Sequence, residues 1–286
     1  MQTQTSEHRL LAVLAHPDDE SFGMGGTLAL YARRGAQVHL LCATRGEAGE
    51  VDPELLADFN SVAERRESEL CCAASSLGLT SVSFLGYRDS GMPGAPDSIH
   101  PEALTRQPLE DVAMRIVQVI RQYRPQVVVT FDPIGGYKHP DHIHIHRATR
   151  LAFYQAGERD IQTEYPPHQP QKLYYHIIPM SLLRAAVYVM PFFGMNPRRF
   201  GRNHDIDLAA MVMEGDFPIH ARINCSSVQA ERQAAIACHS SQISSGLTTN
   251  GLMSWFIRRF GHWENYMRAH PPVNGRGRES DLFEGI

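Results

Sequence analysis

Five short, mostly apolar runs recur through the first 178 residues, each separated from the next by a helix-like stretch or a turn-rich loop. They are Arg9–Ala15 (RLLAVLA), Gln37–Thr44 (QVHLLCAT), Ser81–Leu85, Gln126–Phe131 (QVVVTF) and Lys172–Ile178. Runs of this length are too short for helices, and their lack of alternation fits strands buried on both faces, as parallel strands are. Between them, Gly25–Arg34, Val62–Leu77, Leu109–Tyr123 and His142–Ala156 carry apolar residues at helical spacing. Gly35 and Gly78 stand where a C′ residue would end two of those helices. The first strand, helix and second strand fit within about 35 residues, one βαβ unit. The alternation predicts an α/β fold: a Rossmann-like, open, mostly parallel sheet with helices on both faces. The glycines after the first strand read Gly23-Met24-Gly25-Gly26 rather than GxGxxG, so no dinucleotide site is expected.

Nothing in the remaining sequence separates out a second core. One domain is expected over residues 1–286, with a core over 9–178, a variable region over 158–218, and a C-terminal helix and tail over 227–286. Residues 180–217 read as irregular, His220–Ser226 as a late strand, Ser227–Cys238 as a helix and Val273–Glu279 as a polar tail. The hydrophobic fraction of 43% and charged fraction of 20% are those of a globular chain. A net charge of −4 with no long basic run speaks against nucleic-acid binding. The five cysteines include no CxxC pair, so they read as small core fillers rather than a disulfide framework or zinc–thiolate site. No apolar run approaches the length of a membrane span, and Met1–Arg9 lacks a signal-peptide core. A cytoplasmic protein without membrane insertion is the expectation.

Two clusters carry chemistry. His16-Pro17-Asp18-Asp19-Glu20 lies just past the first strand, and Tyr137-Lys138-His139-Pro140-Asp141-His142 follows the fourth. Ligands of open α/β sheets bind outside the carboxyl ends of the strands, so the two clusters should meet at one edge. Imidazole and carboxylate are zinc ligands, and a catalytic zinc commonly takes three of them plus a water. Two ligands from the first cluster and one from the second give that count. Asp18 and Asp19 are neighbours and point in different directions, so one would ligate and the other would serve as general base. His139 is placed to protonate a leaving amine or to steady an oxyanion. Either aspartate could instead simply cap the following helix. Glu47, in the loop after the second strand, reads either as a substrate or supporting residue or as part of a loop salt bridge.

The pattern AHPDDE after a strand, with HPDH far downstream, resembles the LmbE-like family of zinc de-N-acetylases. That family includes phosphatidylinositol N-acetylglucosamine deacetylases and deacetylases of mycothiol and bacillithiol biosynthesis. The resemblance implies His16, Asp19 and His142 as zinc ligands and Asp18 as general base. It further implies His139 as a catalytic histidine, Asp141 as the residue orienting it or its neighbour, and Tyr137 as an oxyanion aid. ERRESELCCAASSLGL (64–79) is similar to a family helix whose arginine contacts the sugar, with Arg66 the match and Arg65 the fallback. The loop Tyr87–Met92 (YRDSGM) resembles one whose aspartate, here Asp89, binds a sugar hydroxyl. CHSSQ (238–242) and ESDLFEG (279–285) resemble further family segments, whereas 158–218 matches none.

The resemblance implies a zinc-dependent N-deacetylase of an N-acetylglucosamine-containing small molecule, such as GlcNAc-malate or GlcNAc-inositol. Iron(II) suits the same donor set. An amidase of glucosaminyl thiol conjugates and a non-catalytic sugar- or metal-binding module are the alternatives; a retained Asp18 argues against the latter, because binding alone needs no base. Oligomeric state, including a homo-oligomer, is left open. His39, His144 and His146 read as structural. Trp255, Phe256 and Trp263 read as core or interface, and the run Arg198–Arg202 as a solvated loop.

Overall fold

The computed structural model describes residues 8–199, 207–243, 262–273, 275 and 277–286. Five parallel strands form the body of the sheet: β1 (Arg9–Leu14), β2 (Gln37–Thr44), β3 (Ser81–Tyr87), β4 (Val127–Phe131) and β5 (Lys172–Ile177). β1, β2 and β4 are buried almost throughout, which is why their sequences run apolar without alternation. Two further strands, β6 (Ala221–Asn224) and β7 (Trp263–His270), extend the edge antiparallel, giving the order β3-β2-β1-β4-β5-β7-β6. The chain leaves β1 toward β2 and β3, then returns to the other side of β1 to lay down β4. The gap between the loops after β1 and β4 is thus the switch point of the sheet.

Helices cover both faces. α1 (Asp19–Arg33), α2 (Val62–Leu77) and α8 (Gln229–Cys238) pack together, while α3 (Leu109–Tyr123) packs on α5 (Pro140–Gln155). α2 is set locally: the Ser61 hydroxyl accepts the Glu64 N–H, the Glu64 carboxylate accepts the Asn60 N–H, and Gly78 closes the helix at φ +72°.

α1 starts six residues earlier than the sequence pattern suggests. The Gly23–Gly26 stretch lies inside it, across an irregular turn at Met24 (φ −133°). The glycine is there for packing. A Cβ on Gly26 would sit 2.6 Å from Cys225 Cβ, and the Gly26 and Thr27 N–H groups donate to the buried Glu264 carboxylate at 2.9 and 2.7 Å. Glu264 comes from β7, a strand that sequence pattern does not reveal because WENYMRAH has neither alternation nor an apolar run. Its position is decided by pairing on both edges, with Tyr266 opposite His176 of β5 and Ala221 of β6.

The described residues of 180–217, expected to be irregular, include the helices α6 (Met180–Val189) and α7 (Leu208–Glu214) and a 3-10 turn at Met190–Phe193. Their contacts centre on Met190, Leu208 and Met211, against which Leu183, Val187 and Tyr137 pack. A short helix, α4 (Gly135–Lys138), precedes α5. Three cysteines also depart from the core-filler reading: Cys71 is exposed, and Cys72 of α2 and Cys238 of α8 form a disulfide, with Cα atoms 5.7 Å apart. Their separation of 166 residues hides a pairing that only the packing of α2 on α8 creates. Cys42 and Cys225 are buried fillers. Trp263 carries the Arg222 guanidinium 4.5 Å over its ring. Trp255, Phe256 and Phe200–Arg202 lie outside the described residues, as does part of the Val273–Glu279 tail. Among the described residues no helix is long and apolar enough to cross a membrane.

Candidate active site

The two clusters meet at the switch point. The first leaves β1 through Ala15 and enters α1 at Asp19. The second hangs on a loop braced by Asp132, whose carboxylate accepts the Ile134 and Gly136 N–H groups at 3.0 and 2.9 Å. Gly135 and Gly136 both have positive φ, and a Cβ on Gly135 would meet His142 Cβ at 2.9 Å. Pro140 opens α5 with His139 as its cap, the His139 Nδ1 accepting the Asp141 N–H at 3.2 Å. Asp141 and His142 therefore occupy the first helical turn and face β1.

His16, Asp19 and His142 converge. His16 Nδ1 lies 3.2 Å from His142 Nε2 and 3.6 Å from Asp19 Oδ2, and His142 Nε2 lies 3.2 Å from Asp19 Oδ1. The ring protons follow from the other partners. His142 Nδ1 donates to the Gly135 carbonyl at 3.2 Å, leaving a lone pair on Nε2. His16 Nε2 donates to Asp141 Oδ2 at 3.2 Å, with Asp89 Oδ1 at 3.4 Å, leaving a lone pair on Nδ1. Two lone pairs and a carboxylate thus point at one another in a buried space, an arrangement that demands a cation. Donors held about 2.0–2.2 Å from one tetrahedral zinc lie about 3.3–3.6 Å apart, so the spacing fits the ion. Burial disfavours charge on His16, yet Asp89, Asp141 and Asp19 still raise its pKa well above the usual value, which reports the same demand. His16 also belongs to two further buried groups of possible ligands, one with His139 and His142 and one with Asp89 and Asp141.

Asp18 stands beside this centre in an unusual backbone conformation, φ +126° and ψ −29°. Its carboxylate accepts from Arg66 Nη2 at 2.9 Å, and the same guanidinium holds the Pro17 and Gly46 carbonyls at 2.5 and 3.1 Å. Burial pushes the Asp18 carboxyl up to about 6, against the opposing pull of Arg66. Burial and the neighbouring His16 and His142 rings hold His139 down, at about 2. A neutral His139 that accepts on Nδ1 carries its proton on Nε2. Burial, then the Asp19 and Asp18 charges, raise the Tyr137 phenol well above its usual range, so it stays a donor.

Asp18, His139, Tyr137, Arg66 and Asp89 line one cavity of about 530 Å³ together with His16. The register on α2 is clear: Arg66 faces the cavity, whereas Arg65 turns to Glu69, Ser240 and the Phe59 ring. The Asp141 carboxylate reaches His16 and the Ser90 N–H, while the Asp141 backbone N–H donates to the His139 ring. Glu47 lies off the cavity wall and accepts the Asp89 N–H at 3.1 Å, bracing that loop; the salt bridge of its own loop is Arg45–Glu67. His146 is spent on the Phe131 carbonyl at 2.8 Å. Sequence reasoning assigns no role to Phe22, Ser241 or Gln242, which also line the cavity, or to the buried Glu20–His239 pair behind Asp18. The CHSSQ resemblance is the one signal pointing to the C-terminal part of this set.

The family described as PIG-L, GlcNAc-PI de-N-acetylase, matches residues 11–153. A Salinispora arenicola protein named 1D-myo-inositol 2-acetamido-2-deoxy-alpha-D-glucopyranoside deacetylase is 37% identical, covering 99% of this chain and 93% of its own length. Among solved structures, an N,N'-diacetylchitobiose deacetylase from Pyrococcus horikoshii is 18% identical, covers 91% of this chain and 83% of its own, and has a TM-score of 0.61. The 4-carboxy-2-hydroxymuconate hydratase GalB from Pseudomonas putida has the same TM-score at 20% identity, covering 94% and 99%. The last two share the fold, and their different reactions show that the fold alone does not fix the chemistry.

Proposed function

The chain belongs to the GlcNAc-PI de-N-acetylase (PIG-L) family, and from that premise we propose that it hydrolyses the acetamide of an N-acetylglucosamine-containing small molecule with one zinc ion. The observation that carries the reading is the meeting of the His16 and His142 lone pairs with the Asp19 carboxylate in one buried space. These three residues would hold the ion. When bound, such an ion polarises a carbonyl oxygen and acidifies water.

The chain's own groups supply the rest. Asp18 takes a proton from the attacking water as the new C–O bond forms, then passes it to the nitrogen as the C–N bond breaks, giving a free amine and acetic acid, which loses its remaining proton to water to become acetate. A carboxyl poised near 6 suits both halves of that exchange near neutrality. Tyr137 O–H and His139 Nε2–H donate to the oxygen that becomes negative. Arg66 holds Asp18, and Asp89 offers an acceptor to a sugar hydroxyl. The cavity wall carries Asp18, Glu50, Asp89 and Asp97; Arg66 pairs with Asp18 and Arg88 with Asp97, which among the described residues leaves Glu50 and Asp89 without an arginine partner. That balance favours a neutral polyol, such as inositol, as the group attached to GlcNAc and disfavours a carboxylate such as malate.

The test is amine release, read by a fluorogenic amine reagent, from zinc-loaded protein offered GlcNAc-inositol, GlcNAc-malate and free GlcNAc. GlcNAc-inositol should be turned over fastest and a chelator should abolish the signal. No release from any of the three by fully loaded protein would overturn the reading, and a preference for GlcNAc-malate would overturn its polyol part.

A further inference from the structure

Asp18 adopts a positive φ that L-residues rarely take, and such a conformation persists only where the surroundings hold it. Its carboxylate is held by Arg66, and its carbonyl accepts the Ser21 and Phe22 N–H groups at 3.0 Å each. Its own N–H donates to Glu20 Oε2 at 3.0 Å. Glu20 is fully buried, and a buried carboxylate needs partners. The other Glu20 oxygen accepts from His239 Nε2 at 2.7 Å and from the Ser21 hydroxyl at 2.5 Å.

His239 is also fully buried, and its Nδ1 has no partner among the described residues. The ring's hydrogen bonding is therefore directed wholly at Glu20. Its segment is fastened independently. Cys238 is bridged to Cys72, and Ser241 donates its N–H and hydroxyl to Glu69 of α2 at 2.9 and 2.6 Å. Burial works against charge on His239, but the bond to Glu20 and the Glu20 charge raise its pKa above the usual value.

We propose that Glu20 and His239 form a buried positioning pair that holds the Asp18 peptide in its strained conformation and so aims the Asp18 carboxylate into the cavity. The proposal rests on the reading of Asp18 as general base. It gives the C-terminal HSSQ segment a task in the reaction at a site built otherwise from the first half of the chain. His239 touches no reacting atom and acts through Glu20 and the Asp18 backbone.

The experiment uses zinc-loaded full-length protein and compares His239→Ala, His239→Gln, Glu20→Gln, Asp18→Asn and the Asp18→Asn/His239→Ala double variant. His239→Ala should lower kcat by about 10- to 100-fold, the range for groups that orient a reacting residue, with KM little changed and zinc retained. His239→Gln, whose amide can still donate to Glu20, should recover most of the lost rate. The double variant should be no slower than Asp18→Asn alone, because the pair acts through Asp18. Should His239→Ala fail to fold, Glu20→Gln carries the same expectation, since an amide cannot accept from both Asp18 N–H and His239. An unchanged kcat, loss of zinc, or an equal further loss in the Asp18→Asn background overturns the proposal while leaving Asp18 as base. Wild-type turnover by Asp18→Asn would overturn the base assignment and this proposal with it.

Discussion

Removing the Arg66 guanidinium separates two roles that the sequence and the structure give it. The family resemblance implies a sugar contact, whereas the structure spends the side chain on Asp18, Pro17 and Gly46. The bond to Asp18 is charge-assisted, 2.9 Å long, and made by an almost fully buried guanidinium. Hydrogen bonds of that kind contribute roughly 1.5–3 kcal/mol. At 1.36 kcal/mol per pKa unit, its loss raises the Asp18 pKa by about 1–2 units. Asp18 works as a base only when ionised, so the acid limb of kcat/KM should move to higher pH by about 1–2 units in Arg66→Ala. Activity at neutral pH falls and returns as the pH is raised. The assay is amine release from GlcNAc-inositol across pH 5 to 9, on the order of ten points, with zinc content measured at each end. If KM rises while the acid limb stays in place, Arg66 is a sugar contact and does not tune the Asp18 carboxyl.

Three further outcomes follow from the same geometry. His142→Ala removes one of three converging donors, so purified protein should carry about no zinc where wild type carries about one per chain by elemental analysis; equal loading would reject the ligand set. Gly135→Ala places a Cβ 2.9 Å from His142 Cβ at φ +68°; zinc affinity measured by chelator competition should drop about 10- to 100-fold, and stability should fall by about 1–2 kcal/mol. Glu264→Ala leaves the buried Gly26 and Thr27 N–H groups without their acceptor. Denaturant melts should show a loss of about 2–4 kcal/mol, and an unchanged midpoint would mean that water replaces the carboxylate.

The parallel body of the fold is written in local sequence. β2, α2 and α3 begin and end where apolar pattern, caps and the glycine at 78 place them, because each boundary is a short-range event. The neighbourhood of the His/Asp cluster was legible for the same reason. HPDD and HPDH each follow a buried strand, and the sheet topology leaves the ends of adjacent strands nowhere to point but toward each other. Which partner each side chain takes was not legible. Arg66 against Asp18, the Asp141 carboxylate against His16, and Glu47 against the Asp89 amide are decided by distances of an ångström between segments. Sequence spacing carries no such information.

The rest of what only the tertiary structure decided came from the C-terminal third. β7 has no period of its own and becomes a strand because β5 and β6 offer it two edges. Its Glu264 is what allows α1 to run through Met24 and the three glycines 23, 25 and 26, which by propensity should end a helix. The Cys72–Cys238 bridge and the His239–Glu20 bond likewise exist because α8 docks on α1 and α2, bringing together residues far apart in the chain. The sequence by itself determined the five parallel strands, most of the helices packed on them, and the two His/Asp clusters that follow β1 and β4. The packing of the last elements determined how α1 holds its first turn and, with it, the direction of Asp18, because long-range contacts and not local preference supply the partners for buried polar groups.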